Sequence, residues 1–144
     1  MTVHTQDTVI VNTTDLIVER LDWAVSTALN YKPFYNTQFK GWWLQVAKGY
    51  KAMPKYSSNE VDGGLVISKE HISTLYAGYG CWCAEIKGKH TQIGPTQLIA
   101  AMRCFVRSRL GNKVSIPVKL MQPTFTVKTY PAHLKLTSRS LHAP

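Results

Sequence analysis

The fold of this chain is decided by residues 94–111, which have the sequence GPTQLIAAMRCFVRSRLG. Thr96 is a residue type that caps the first turn of a helix, and Gly111 is a type that follows the last turn. The apolar side chains between them recur at helical spacing and form one continuous stripe: Leu98, Ile99, Met102, Phe105, Val106 and Leu110. The sequence therefore predicts a helix over residues 96–110 that buries one face in the core.

A second helix is predicted over residues 15–30, because apolar residues recur there at a mostly helical spacing. Thr13 and Thr14 precede it and can accept hydrogen bonds from its first N–H groups, and Pro33 follows its end. Alternating or β-branched runs predict strands at residues 8–11, 43–47, 71–77, 81–87, 114–118 and 125–129.

Glycines mark two expected turns. Gly-Tyr-Gly at residues 78–80 joins the strands at 71–77 and 81–87 into a hairpin, because glycine adopts positive φ without strain. Asp-Gly-Gly at residues 62–64 indicates a turn before the short apolar run at 65–67. Together these elements predict an α+β fold, in which a small antiparallel sheet packs with two main helices.

The length of the chain, 144 residues, predicts a single domain over residues 1–144. The polar residues 1–7 predict a loose leader rather than a signal peptide, and residues 137–144 predict a flexible tail. No apolar run approaches the ~20 residues that cross a bilayer, so no membrane partner is expected. The odd number of cysteines, three, predicts reduced thiols in a cytoplasm rather than a disulfide framework.

The net charge of +9 is distributed unevenly along the chain. Residues 1–85 hold 7 Lys and Arg against 8 Asp and Glu, giving −1, whereas residues 86–144 hold 10 Lys and Arg and no acid, giving +10. A positive field this one-sided attracts phosphates, nucleotides or nucleic acid. An anionic partner is therefore expected, and solubility alone is the alternative.

The sequence contains no recognisable catalytic set. It lacks Gly-x-Ser-x-Gly, a phosphate loop and a dinucleotide fingerprint, and its few acids are not spaced for shared acid–base work. Cys81 and Cys83 could join His71 or His90 at a metal, but the spacings typical of zinc sites are missing, which favours packed thiols. We therefore predict a binding protein rather than an enzyme, with no catalytic residue, metal ligand or cofactor.

Arg103 and Arg107 are four residues apart, so we expect them to project together from the helix over residues 96–110. Guanidinium groups bind phosphate bidentately, and the helix start at Thr96 adds free N–H groups and the positive end of the helix dipole. The alternative is a solvated helix face or a salt bridge, for example between Arg103 and Asp22.

Residues 39–56 and their flank interleave aromatic side chains with lysines. The aromatic residues are Phe34, Tyr35, Phe39, Trp42, Trp43, Tyr50 and Tyr56, and the lysines are Lys40, Lys48, Lys51 and Lys55. This composition is typical of a surface on which nucleobases stack. The alternative, which we favour, is that strands in this stretch bury their aromatic side chains in the core.

Several blocks of the chain resemble the NinX-like phage accessory proteins. The blocks are residues 11–16 with 21–25, residues 56–58 with 63–67, residues 82–88, and residues 94–106 with Ser108, Leu110, Gly111 and Pro117. The last block carries the most specific likeness, and the order holds over roughly residues 11–117. Arg107 and Arg109 make the last helix more basic than is usual in these proteins.

The resemblance implies a function. Phage proteins similar to this family include Thoeris anti-defence proteins, which are sponges that hold cyclic ADP-ribose signals or cyclic oligonucleotides without cleaving them and assemble as dimers or higher oligomers. On this likeness Trp23 would stack on an adenine and Arg103 would grip a phosphate. Arg107 would add a phosphate contact, with Arg109 and Lys113 supplying a supporting positive field.

The leading hypothesis is therefore a phage counter-defence protein that sequesters an anionic cyclic nucleotide in the cytoplasm of the infected bacterial host, as a homo-oligomer. One alternative is a basic nucleic-acid-binding phage accessory protein that uses the C-terminal half and the aromatic stretch. Another is an inhibitor that docks on a host defence protein through the segment after Pro117.

Overall fold

A computed structural model describes residues 7–121 and divides them into three helices and eight strands. The helices are α1, Val18–Ala28, α2, Glu60–Glu70, and α3, Gln97–Leu110. Single 3-10 turns lie at Thr13–Asp15 and Val118–Met121. The predicted leader apart from Asp7, the predicted tail and the strand predicted at 125–129 lie outside the described residues.

The strands form three antiparallel sheets, ordered β1–β8, β2–β3–β4 and β5–β6–β7. They are β1 Thr8–Asn12, β2 Phe34–Asn36, β3 Gly41–Val46, β4 Gly49–Ala52, β5 Ser73–Gly78, β6 Cys81–Ile86, β7 His90–Gly94 and β8 Lys113–Pro117. The predicted α+β class is confirmed. The single small sheet is corrected to three, because the strands pair only within these three groups. Helix α3 lies against β5, β6, β7 and β8 and against both other helices.

The core is built around α3. Seven consecutive residues of this helix are buried: Ala100, Ala101, Met102, Arg103, Cys104, Phe105 and Val106. Three residues of the predicted stripe, Met102, Phe105 and Val106, are among them, and Ile99 and Leu110 pack half-buried against the same core. Burial extends beyond the stripe because α3 is covered on several sides. Thr96 caps the helix, its hydroxyl accepting from the N–H of Ile99 at 3.1 Å, and Gly111 follows the last turn with φ of 93°.

The helix predicted at residues 15–30 is shorter than expected. Residues 13–15 form a separate 3-10 turn, and α1 begins only at Val18. Thr13, predicted to cap this helix, is fully buried and donates its hydroxyl to the carbonyl of Gly111 at 2.6 Å. The hydroxyl therefore ties the chain to the end of α3, since a buried hydroxyl needs a partner.

The turn predicted at residues 62–64 is wrong, because these residues lie inside α2. Asn59 caps α2, its side chain accepting from the N–H groups of Val61 and Asp62. A Cβ added at Gly63 would lie 2.4 Å from the carbonyl oxygen of Tyr56 and 2.7 Å from Cδ2 of Leu98. Glycine at 63 therefore serves close packing against α3 and not a turn.

The hairpin predicted around residues 78–80 is confirmed. Strands β5 and β6 pair there, and Gly78 and Gly80 have φ of 93° and 69°. Alternation along β6 puts Ala84 and Ile86 in the core while Cys83 and Glu85 face the other side, as the strand period requires. Strands β2, β4 and β7 were not predicted, since they are short and carry weak patterns.

Candidate functional site

A groove opens between α2, which lines it from Glu60 to Ser68, and the first turn of α3, and its volume is about 760 Å³. We call it the interhelical groove. Its lining is rich in hydroxyl and other polar groups, and the lining residues are Ser57, Ser58, Glu60, Gly64, Ile67, Ser68, Thr96, Gln97, Leu98 and Ile99. This volume lies within the range of roughly 300–1,000 Å³ that small-molecule sites occupy.

Two neighbouring glycines shape the interhelical groove. Gly63 faces inward and lets α2 approach Leu98 of α3. Gly64 lies on the groove side, and a Cβ added there would meet nothing within 4 Å. The pair therefore lets α2 approach the first turn of α3 while keeping the space of the groove open.

The first turn of α3 presents backbone N–H groups to the groove. The hydroxyl of Thr96 accepts from the N–H of Ile99, and the N–H of Ala100 donates to the carbonyl of Thr96 at 3.0 Å. Within the described part of the chain, the N–H groups of Gln97 and Leu98 have no acceptor. Such groups at a helix start, together with the helix dipole, favour an anion.

A carboxylate opposes that preference. Glu60, in the first turn of α2, lines the same groove and brings a negative charge to it. Its charge is well placed for the start of α2 but would repel a bound anion. The groove therefore holds a negative side chain and free backbone donors, which act in opposite directions on an anion.

A buried carboxylate lies behind the groove. Asp22 of α1 is 5% exposed, and its Oδ1 accepts from the N–H of Ser57 at 2.8 Å. Burial raises the pKa of Asp22 to about 6, although the hydrogen bonds from Ser57 act in the opposite direction. The hydroxyl of Ser57 also donates to the carbonyl of Val18 at 3.3 Å, so Ser57 fixes the groove wall against α1.

A second cleft, of about 450 Å³, lies over the outer face of the β5–β6–β7 sheet. Leu75 and Ile93 are exposed there, at 70% and 55%. Arg107 reaches the cleft from α3 and donates from Nη1 to the carbonyl of Thr91 at 2.8 Å. Glu85 lines the same cleft, so it carries charges of both signs.

The side chain of Arg103 is buried and forms hydrogen bonds within the fold. It is 8% exposed, and it donates from Nε to the carbonyl of Leu16 at 2.9 Å and from Nη1 to the carbonyl of Ile93 at 3.0 Å. Burial lowers its pKa, and the charge of Asp15 opposes that shift. The salt bridge suggested between Arg103 and Asp22 is wrong, because Asp22 binds Ser57 and the ion pair of the described residues joins Arg109 to Glu70.

The other predicted site residues are spread over the molecule. Arg109 contacts Glu70 at 2.8 Å, and its guanidinium lies 5.1 Å from the ring centre of Phe105. Lys113 is exposed at the start of β8. Trp23 is half-buried on α1, and its indole N–H is buried with no acceptor among residues 7–121.

The six predicted residues do not converge on one surface. Thr96 lies in the interhelical groove and Arg107 lines the cleft on the β5–β6–β7 sheet. Thr96 and Arg109 are at opposite ends of α3, roughly 20 Å apart along the helix axis at ~1.5 Å per residue. Ser57 and Ser58 were not predicted as site residues, although they directly precede the helix cap Asn59 and belong to the block at 56–58 that resembles the family.

Two kinds of feature are absent from the part of the chain that the structure describes. No three His, Cys, Asp or Glu side chains in residues 7–121 are grouped so that they could hold a metal ion. No helix in that range has both the length and the apolar character needed to cross a bilayer. The three cysteines are free thiols, with Cys104 buried and Cys81 and Cys83 half-buried.

The chain is a small α+β protein with a polar groove between α2 and the start of α3. The family model of bacteriophage P22 NinX matches residues 12–109, which is more than half of the chain. The chain therefore belongs to this family, and the resemblance found in the sequence is confirmed. No curated protein matches the chain. All residues that line the interhelical groove fall inside the matched range.

Proposed function

We propose that this phage accessory protein sequesters a small anionic cyclic nucleotide, of cyclic ADP-ribose or cyclic oligonucleotide type, without cleaving it. On this proposal it acts as a counter-defence protein in the cytoplasm of the infected bacterial host. The observation that carries the proposal is the interhelical groove, which has the volume of a small-molecule site and unused N–H donors at the start of α3.

A phosphate of the ligand would lie against the N–H groups of Gln97 and Leu98, and the hydroxyls of Ser58 and Thr96 also line the groove. The apolar side chain of Ile67 supplies a surface for the base. Arg107, Arg109 and Lys113 stand outside the groove and would contribute through the long-range field, which raises association rates more than affinity.

The position of Arg103 changes its role in the proposal. A phosphate at its guanidinium would compete with the carbonyls of Leu16 and Ile93, which Arg103 already binds. We therefore propose that Arg103 positions β7 and the chain before α1, and that the start of α3 provides the phosphate contact. Trp23 likewise lies outside the groove lining.

The test is thermal unfolding with cyclic ADP-ribose, a cyclic diadenylate and, as the uncharged control, adenosine. A ligand present at 100 times its Kd stabilises the folded state by about 2.7 kcal/mol, which raises the melting temperature by several degrees. The bound compound should be recovered intact after denaturation. Absence of a shift with both cyclic compounds contradicts the proposal, and recovery of a cleaved product contradicts sequestration.

Two substitutions locate the site. Glu60→Gln removes a negative charge from the groove, so it should tighten binding of the cyclic compound. Gly64→Glu fills the open space and adds a negative charge, so it should abolish binding while α2 stays folded. Glu85→Gln is the matched control, since it makes the same charge change at the other cleft. Equal effects of the Gln variants at 60 and 85 would place the site elsewhere.

The proposal includes assembly as a homo-oligomer. Leu75 and Ile93 give the outer face of the β5–β6–β7 sheet an exposed apolar area, and Glu85 and Arg107 give it charges of both signs. Such a face can be self-complementary under a two-fold axis. Sedimentation equilibrium of the protein and of Leu75→Asp tests this, and a monomer at all concentrations contradicts it.

A further inference from the structure

The outer face of the β2–β3–β4 sheet carries four aromatic side chains, Phe34, Phe39, Trp43 and Tyr50, which we call the exposed aromatic face. Phe39 is 62% exposed, Tyr50 65% and Phe34 37%, and Trp43 is half-buried. Soluble proteins rarely leave several large aromatic rings together in solvent without a use for them. We therefore expect the exposed aromatic face to bind a ligand.

Strand alternation separates this face from the core. Phe34 pairs with Trp43 and Gln45 pairs with Tyr50, so these residues share the outer side of the sheet. Trp42 and Leu44, at the intervening positions of β3, are 5% and 0% exposed and pack inward. The favoured expectation that the aromatic residues of this stretch fill the core is thus correct for one face only.

The rings of the face are held in place by one another and by the backbone. Phe34 and Tyr50 pack edge to face with ring centres 5.7 Å apart, and Phe39 and Trp43 lie 5.4 Å apart at 40°. The side chain of Asn36 accepts from the N–H of Phe39 at 3.1 Å and fixes the turn between β2 and β3. A surface ordered in this way loses little conformational entropy when it binds.

Charge complementarity points to a polyanion. Residues 23–59 contain no Asp or Glu and five exposed lysines. Two of these, Lys40 and Lys48, lie in the turns at the two ends of β3, one residue from Phe39 and two residues from Tyr50. A second copy of the same face would bring like charges together and be repelled. Lysines beside aromatic rings instead suit a ligand that has both phosphates and flat bases.

We propose that the exposed aromatic face binds single-stranded nucleic acid, with bases stacking on its rings and the surrounding lysines contacting the phosphates. The face lies on the β2–β3–β4 sheet, whereas the interhelical groove is lined by α2, α3 and the residues that precede them, so the two share no residue. The proposal is therefore independent of the cyclic-nucleotide function. It predicts little sequence preference, because every base offers a stacking surface.

The experiment measures fluorescence anisotropy of labelled oligothymidylate and oligouridylate of about 20 nucleotides with the full chain. Tyr50→Ala and Phe39→Ala should each weaken binding about tenfold, since one stacked base contributes roughly 1–3 kcal/mol. Tyr79→Ala is the matched control, because Tyr79 is a fully exposed aromatic residue at the tip of another hairpin. Urea unfolding of each variant confirms that the fold is retained.

The lysines give a second, separate readout. The logarithm of the binding constant should fall with the logarithm of salt concentration, with a slope of about −0.7 for each phosphate neutralised. Lys40→Ala and Lys48→Ala should each reduce the slope by about 0.7. Lys87→Ala and Lys89→Ala, which remove the same charge from the turn after β6, should leave it nearly unchanged.

Base stacking also has a spectroscopic signature. Bound oligonucleotide should quench tryptophan fluorescence, and Trp43→Phe should remove most of the quenching while binding persists. Binding of either oligonucleotide that depends on Tyr50 and Phe39 supports the proposal. The proposal is overturned if heparin or anionic phospholipid vesicles compete equally with the oligonucleotides per charge, or if Tyr50→Ala and Phe39→Ala bind as the unmodified chain does.

Discussion

Helix α3 and the region of the β2–β3–β4 sheet both carry basic side chains. Those of α3 are bound within the fold, whereas those near the sheet are exposed to solvent. On α3, Arg103 is buried against two carbonyls, Arg107 donates to Thr91, and Arg109 is paired with Glu70. In the segment from 23 to 59, which contains the sheet, every lysine is exposed. Positive charge in the helix is largely satisfied within the fold, whereas positive charge around the sheet is available to a partner.

The net charge of a sequence segment therefore does not show where positive side chains are exposed on the folded protein. By sequence, residues 86–144 hold +10 and residues 1–85 hold −1. In the structure, Arg103 of the basic half is buried. In residues 1–85, the exposed lysines of the segment 23–59 are separated along the chain from the acids, all of which lie outside that segment. Asp22 is buried against Ser57, and Glu70 is occupied by Arg109.

The largest effect is expected from Arg103→Ala. Two buried carbonyls lose their donor, and a cavity replaces the guanidinium, so the free energy of unfolding should fall by about 3 kcal/mol. Urea denaturation measures the change. Lys40→Ala, which removes an exposed lysine beside the sheet, should alter the free energy of unfolding by less than about 0.5 kcal/mol. Similar losses for the two variants would erase the contrast between inward and outward charge.

A smaller effect separates two adjacent glycines of α2. Gly63→Ala should cost about 1–3 kcal/mol, because the added Cβ meets the carbonyl of Tyr56 and the side chain of Leu98. Gly64→Ala should stabilise the fold by up to about 1 kcal/mol, because its Cβ meets nothing and alanine favours a helix. Thermal unfolding of both variants checks the signs. Two changes of the same sign would mean that α2 does not pack as described.

An effect of similar size, but dependent on pH, is expected from Asp22. Its folded pKa of about 6 is above the ordinary value of 3.8, so the folded state binds the proton more tightly than the unfolded state. This contribution to stability is present at low pH and is lost as the pH rises from about 4 to about 6. The free energy of unfolding relative to Asp22→Asn should therefore fall by about 1–3 kcal/mol across that window.

The comparison with Asp22→Asn is needed because Glu19 acts in the same direction. Burial raises the pKa of Glu19 as well, and Lys55 opposes that shift. Subtracting the Asn variant removes contributions common to both proteins. A flat difference between pH 4 and 7 would show that Asp22 is not desolvated behind the groove.

Elements with a long periodic pattern were predictable, and elements defined by contact were not. The stripe from Leu98 to Leu110 and the cap Thr96 specified α3 because those signals are local. Helix α2 was missed because Gly63 resembles a turn residue, while its purpose is to let Tyr56 and Leu98 approach. The sequence does not show whether a glycine is needed for a positive φ in a turn or for close packing where a side chain would not fit.

The candidate site was predictable only in part. Thr96 was identified and does lie in the interhelical groove. Ser57, Ser58 and Gly64 were not, because they come from an element that packs beside α3 only after folding. Arg103 was read as a surface group, since a charged residue next to an apolar stripe is usually solvated.

By itself the sequence determined the α+β class, the helix α3, the hairpin at residues 78–80 and the membership in the NinX family, because these depend on local pattern and residue order. Only the tertiary structure decided which basic residues stay available. Arg103 is buried because it hydrogen-bonds to residues far away in the sequence, such as Leu16. Trp43 faces outward and Trp42 inward because successive residues of a strand point to opposite sides of the sheet.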